Sequence, residues 1–214
     1  MKRYAVILYL TSILFAIFAL TSCDTSSVST IEETVEFIES TTPIPGAQGV
    51  TMDLQNGSNY GSLHVITLSE ITDNPYISNG FKKAWCIEWD VSSIKGVQRD
   101  VNLHATKGKV YWDKLNYLIN HIDDFSEAFP ELSWKEIQIA IWAVVDYKPF
   151  YIDDIPDYRS FPSTFYKNGE YLFDVDLARE LIRLTRQHAV SGNIGAKFAI
   201  VIENEGQIVV TSSE

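Results

Sequence analysis

Two side chains in this sequence carry chemistry that their surroundings do not explain. Cys86 is a thiol in the apolar run Ala84-Trp85-Cys86-Ile87, and Gln138 is the one neutral polar side chain interrupting Ile137-Gln138-Ile139-Ala140-Ile141-Trp142. A buried carboxamide needs partners. An unpaired thiol outside the cytoplasm is open to oxidation unless it is buried or chemically occupied. The two groups can answer each other. Sulfur attacks the amide carbon, ammonia leaves, and a thioester remains, which removes the free thiol and the buried amide together. The bland reading of both is core packing, since free cysteine behaves as a small hydrophobe.

The compartment follows from the N-terminus. Lys2 and Arg3 precede an uncharged apolar run that ends in Leu20-Thr21-Ser22-Cys23. A basic start, an apolar middle and small residues at the end form an export signal, and Leu-Thr-Ser-Cys resembles the lipobox of bacterial lipoproteins. That resemblance implies cleavage before Cys23 and lipidation of its thiol, with an uncleaved membrane anchor as the alternative. The sequence has two cysteines, so Cys86 is then left without a disulfide partner. Removing residues 1–22 leaves 214 − 22 = 192 residues and a formal charge of −11 − 2 = −13. Such acidity argues against nucleic-acid binding, which needs a basic footprint. The expected organisation is a signal peptide over 1–22, a Ser/Thr/Glu-rich tether over 23–48 and a folded domain over 49–214.

The elements that must position the two groups are legible in outline. Residues 62–69 and 84–90 alternate as strands, with Trp85, Ile87 and Trp89 set against Cys86 and Glu88 in the second. Residues 101–106 form a weaker strand. Trp112, Leu115, Leu118, Ile119 and Ile122 share a helical face. Pro130 breaks the chain, and Ser133 with Glu136 forms a capping box that opens a second, almost wholly apolar helix running to about Asp146. Residues 147–170 read as loop. Leu177, Leu181 and Leu184 mark an amphipathic helix stopped by Ser191-Gly192. Residues 197–212 close the chain as a hairpin turning at Glu205-Gly206. Strands, then helices, then strands predict an α+β fold, an antiparallel sheet or barrel-like part packed with a helical subdomain.

On these residues the chain resembles the thioester domain of bacterial surface adhesins. Cys86-Ile87-Glu88 is similar to the family's Cys-hydrophobic-acid motif. Gln138, Ala140, Ile141 and Trp142 match its later Gln-x-Ala-Ile/Val-Trp motif, and Lys114 to His121 is similar to the Tyr-containing helix before it. The likeness spans roughly residues 49–211, although only the two short motifs are specific. Three departures stand out: Ile137 occupies the place of a usual Thr, the motifs are 138 − 86 = 52 positions apart, closer than in the family, and a lipid anchor replaces a cell-wall sorting signal. The resemblance implies a Cys86–Gln138 thioester that captures an amine, such as a lysine on a partner protein or surface ligand, in one acyl transfer without turnover. It implies covalent adhesion through an isopeptide-like amide, no cofactor, and a site on the cell surface held to the membrane through Cys23. Trp85, Trp89, Trp134 and Trp142 are candidates for a dry shell, and Glu88 for a supporting group or a paired charge on the sheet.

Other chemistries have less behind them. His64, His104, His121 and His188 lack metal-ligand spacing, and Asp153, Asp154 and Asp157 lack a calcium-loop pattern, so no metal is expected. A Cys86–His dyad would make a cysteine hydrolase, without a local signature for it. The competing class is a lipoprotein that binds or packs without covalent capture, with Cys86 and Gln138 inert in the core.

Overall fold

The computed structural model describes residues 40–145, 148–192, 194–204 and 206–214. The signal segment, Cys23, Asp146 and the hairpin residue Glu205 lie outside the described residues. Nine strands are described: β1 Thr42–Pro43, β2 Val50–Asn56, β3 His64–Ser69, β4 Gly80–Cys86, β5 Gly96–Ala105, β6 Tyr166–Lys167, β7 Glu170–Tyr171, β8 Ala199–Glu203 and β9 Val209–Ser212. The four described α-helices are α1 Asp113–Asn120, α2 Ile122–Ala128, α3 Trp134–Val145 and α4 Val175–Ala189.

The main sheet runs β1-β5-β2-β3-β4-β9-β8, and a further pairing of β5 with β8 closes it. Six antiparallel strands therefore form a barrel, with β1 added at the edge of β5. The long strand β5 makes closure possible. Its first half pairs with β2 and its second half with β8. Closure leaves no open edge, and a barrel this narrow is filled by its own side chains, here Met52, Leu54, Ile66, Leu103, Ile202 and their neighbours. The helical layer is α1, α3 and α4, which pack on one another, and α3 also packs on β4.

The α+β class is as expected, with differences in detail. The strand expected over 84–90 runs instead over Gly80–Cys86. Alternation fails beyond Cys86 because Ile87 and Glu88 are both buried, and Trp89 turns away to stack on Tyr158 at 4.3 Å. The first helix begins as a 3-10 turn at Val110–Trp112 and breaks at His121 before α2. The expected loop of 147–170 holds a 3-10 helix at Ile152–Asp157 and the start of the small β6–β7 ladder. β2 was not anticipated, although Val50, Met52 and Leu54 alternate inward against Thr51 and Asp53. The fold also reaches back into the segment assigned to the tether: Thr42 and Pro43 pair with β5, and Ile44 and Ala47 are fully buried.

Candidate functional site

The site begins where β4 outruns its neighbour. β3 pairs with β4 only as far as Ala84, while β9 accompanies β4 to Cys86 and Ile208, just before β9, accepts the Ile87 N–H at its carbonyl. The Cys86 N–H and C=O therefore have no strand partner on the β3 side. The Gln138 carboxamide supplies one. The Cys86 N–H donates to Gln138 Oε1 at 3.1 Å, and Gln138 Nε2 donates to the Cys86 carbonyl at 2.6 Å. Both residues are buried, so the two sequence-predicted groups are brought together by a two-point pairing across 52 positions.

The helix end that places Gln138 is firmly fixed. Glu136 Oε2 accepts the Ser133 N–H at 2.9 Å and the Ser133 hydroxyl at 2.5 Å, and Ser133 Oγ accepts the Lys135 N–H. This is the expected capping box. Glu136 does more than cap: its Oε1 accepts the Asp174 N–H at 2.8 Å, and Asp174 is itself the N-cap of α4 through the Leu177 N–H. One buried carboxylate thus ties the starts of α3 and α4 together, with Gln138 two residues beyond it.

Cys86 also lines a cavity of about 380 Å³, whose walls include His64, Trp89, Trp134, Trp142 and Gln207. Gln138 does not line it. Trp142 and Trp134 both pack edge-on against Phe165, at 5.0 and 5.6 Å, and Lys148 bridges Asp90 to the Trp89 face. Three of the four expected tryptophans therefore line the cavity that Cys86 also lines. Trp85 does not. It precedes Cys86 on the strand and so faces the opposite side, where it lines a separate cavity with Phe81, Ile119 and Ile122.

Burial pushes the Cys86 thiol well above the ordinary range; Trp142 and Gln207 counter this in part, and the nearby Glu88 charge adds to it. A thiol held this way is not a resting thiolate, which is the reverse of what a cysteine hydrolase needs. Glu88 lies past the strand, buried, where Oε2 accepts the Ile208 N–H at 2.6 Å. Burial, more than any other cause, raises its carboxyl pKa. Its contact is with β9's approach and not with Gln138.

His64 and Gln207 were not singled out as members of this site. His64 is buried at the start of β3 with both ring nitrogens lacking a hydrogen bond of ordinary geometry. Burial drives its pKa down to about 4; Lys95 adds to that, while Gln207 and the Gln55 backbone oppose it. Gln207 is anchored by Nε2, which donates to the carbonyls of Glu88 and Val91. Neither residue carries a local sequence signal, because the start of β3 and the β8–β9 connection that bring them to Cys86 lie elsewhere in the chain. Among the described residues no group of three His, Cys, Asp or Glu side chains is placed to hold a metal ion.

No protein-family model matches the chain, and no curated protein does. Among solved structures it is similar to the N-terminal thioester domain of fibronectin-binding protein SfbI from Streptococcus pyogenes. The identity is 10%, the TM-score 0.43, and the match covers 79% of this chain and 95% of that one. A likeness at that level assigns neither residues nor function.

Proposed function

We propose that this chain is a cell-surface lipoprotein whose Cys86 and Gln138 form an internal thioester, used once to capture an amine on a partner surface. The observation that carries the reading is the pairing of the Gln138 carboxamide with the Cys86 backbone. It holds the acyl carbon beside the residue whose sulfur must attack it, which removes much of the entropic barrier. The Cys86 N–H on Oε1 sits where negative charge develops in the tetrahedral intermediate, as an oxyanion-hole donor does. The burial of both residues limits hydrolysis, which would return a free thiol and a glutamate. Once the acyl carbon is bonded to sulfur it belongs to a group that lines the cavity, where an amine can reach it. The amine nitrogen then bonds to the Gln138 carbonyl carbon, the carbon–sulfur bond breaks, and a stable amide joins the two molecules. Lipidation at Cys23 would hold the domain to a membrane; Cys23→Ser should release it or stall processing, as fractionation would read.

A second reading has its own observation. The same two hydrogen bonds give both polar atoms of the Gln138 amide a partner and finish the end of β4, so an inert core glutamine explains them too. Intact mass separates the readings. The thioester requires freshly purified wild-type protein to be lighter by one ammonia than its processed, otherwise modified chain. Cys86→Ala and Gln138→Ala should each show their full substituted mass. Methylamine should add to the wild type and expose one titratable thiol. Wild-type protein at full mass, with no amine uptake, would leave the inert-core reading standing.

A further inference from the structure

The geometry points to His64 as the proton carrier of this site: its ring, lining the same cavity as Cys86, moves one proton between the cysteine sulfur and the reacting amine nitrogen. The inference rests on the thioester reading above and goes beyond it in assigning a residue that neither motif contains.

Sulfur needs such a partner because of where it sits. In forming the bond, the Cys86 S–H must lose a proton and the departing nitrogen must gain one to leave as ammonia. In opening it, the incoming nitrogen must lose a proton while the sulfur, in a pocket that disfavours thiolate, gains one to leave as thiol. The two steps are the same proton route run in opposite directions. Written for a neutral amine, thioester plus amine gives amide plus thiol, with no net proton; an ammonium releases one proton to solvent. Cys86's own surroundings hold the Glu88 carboxyl, committed to the Ile208 N–H, and two donors, the Trp142 indole and the Gln207 amide, neither of which titrates.

His64 does. It is 4% exposed, and both ring nitrogens are buried with no hydrogen bond of ordinary geometry. Buried ring nitrogens without a well-formed hydrogen bond are an unusual cost in a folded core, and His64 lines the same open volume as Cys86. The ring is neutral at physiological pH, so one nitrogen can accept while the other holds a proton to give. Gln207, pinned by the Glu88 and Val91 carbonyls, lines the same cavity and opposes the burial effect at both His64 and Cys86. The other charged or titratable groups lining the cavity are Asp90, committed to Lys148, and Lys95. Transfer through one water in the cavity satisfies the same requirement.

The test follows two rates by intact mass on the full chain: loss of ammonia after refolding, and uptake of methylamine. His64→Gln should slow both by about 100-fold or more. His64→Ala should do the same, with added imidazole restoring part of the rate. Wild-type rates in a folded His64→Gln protein, or no imidazole response in a slowed His64→Ala protein, would overturn the assignment while leaving the thioester intact. If neither variant folds, the wild type decides with hydroxylamine, a weakly basic amine. Its rate should show one proton dependence beyond the amine's own as pH falls through about 4; the amine's dependence alone overturns the role. Wild-type protein that never loses ammonia removes both the thioester and this proton route.

Discussion

Cys86 and Gln138 contribute unequally to the fold even though both are needed for the bond. Cys86 offers its backbone to Gln138, so Cys86→Ala keeps both hydrogen bonds. Gln138→Ala strands a buried N–H and a buried C=O and opens a void. Neither variant can hold a thioester, so their difference isolates the pairing: Gln138→Ala should be less stable than Cys86→Ala by about 2–5 kcal/mol in urea unfolding. Equal stabilities would mean that water replaces the amide without cost. His64 adds a pH dependence of definite sign. Burial lowers its folded pKa from the ordinary histidine value of 6.5 to about 4. Between those values the unfolded chain binds more protons, so stability falls as pH drops through that window and this group adds no further loss below it. The full effect is on the order of 3 kcal/mol. His104, also lowered by burial, acts in the same direction, and Glu88, raised by burial, acts against it. Comparing wild type with folded His64→Gln across pH 4–7 isolates the histidine, and the variant should have the flatter curve.

The helices were the most legible parts of the sequence because their signals are local. Ser133 and Glu136 announced the start of α3, and Asp174, Leu177 and Leu181 are the cap and buried face of α4. What no local pattern could give is that Glu136 serves both helices at once, or that β4 ends at Cys86 because β3 stops at Ala84. The motif pair could nominate Cys86 and Gln138, but the cavity, His64 and Gln207 exist only after β3, the segment behind β4 and the β8–β9 connection converge. Trp85 shows the same limit in reverse: adjacency in sequence suggested a place in the shell, and strand alternation sends it to the other face. The double duty of Glu136 has a measurable consequence. Glu136→Ala removes an acceptor from the Ser133 N–H and hydroxyl and from the Asp174 N–H, and should cost about 2–4 kcal/mol. Asp174→Ala, an ordinary cap loss, should cost about 1 kcal/mol. Because the two residues share one junction, the double variant should lose less than the sum; strict additivity in a denaturation cycle would mean the helix starts are independent.

A closed barrel and a helical layer are joined here through the packing of α3 on β4, and the Cys86–Gln138 pair lies at that junction. The proposed thioester would therefore do more than store an acyl group. It would staple the sheet to the helices across 52 positions and restrict the unfolded chain as a disulfide does, a device typically worth about 2–4 kcal/mol. Capture of an amine opens that staple, so the molecule should become less stable as it reacts. Protein treated with methylamine should unfold at a lower urea concentration than untreated protein. Cys86→Ala, with no bond to open, should have the same midpoint with and without amine. The order of events also matters. Opening leaves the Gln138 carbonyl in place as a substituted amide that can still accept the Cys86 N–H, so the barrel and helices should stay folded, with an unchanged far-ultraviolet circular dichroism spectrum at low urea. Loss of that spectrum on amine addition alone would show that the bond, and not the packing of α3 on β4, holds the two layers together.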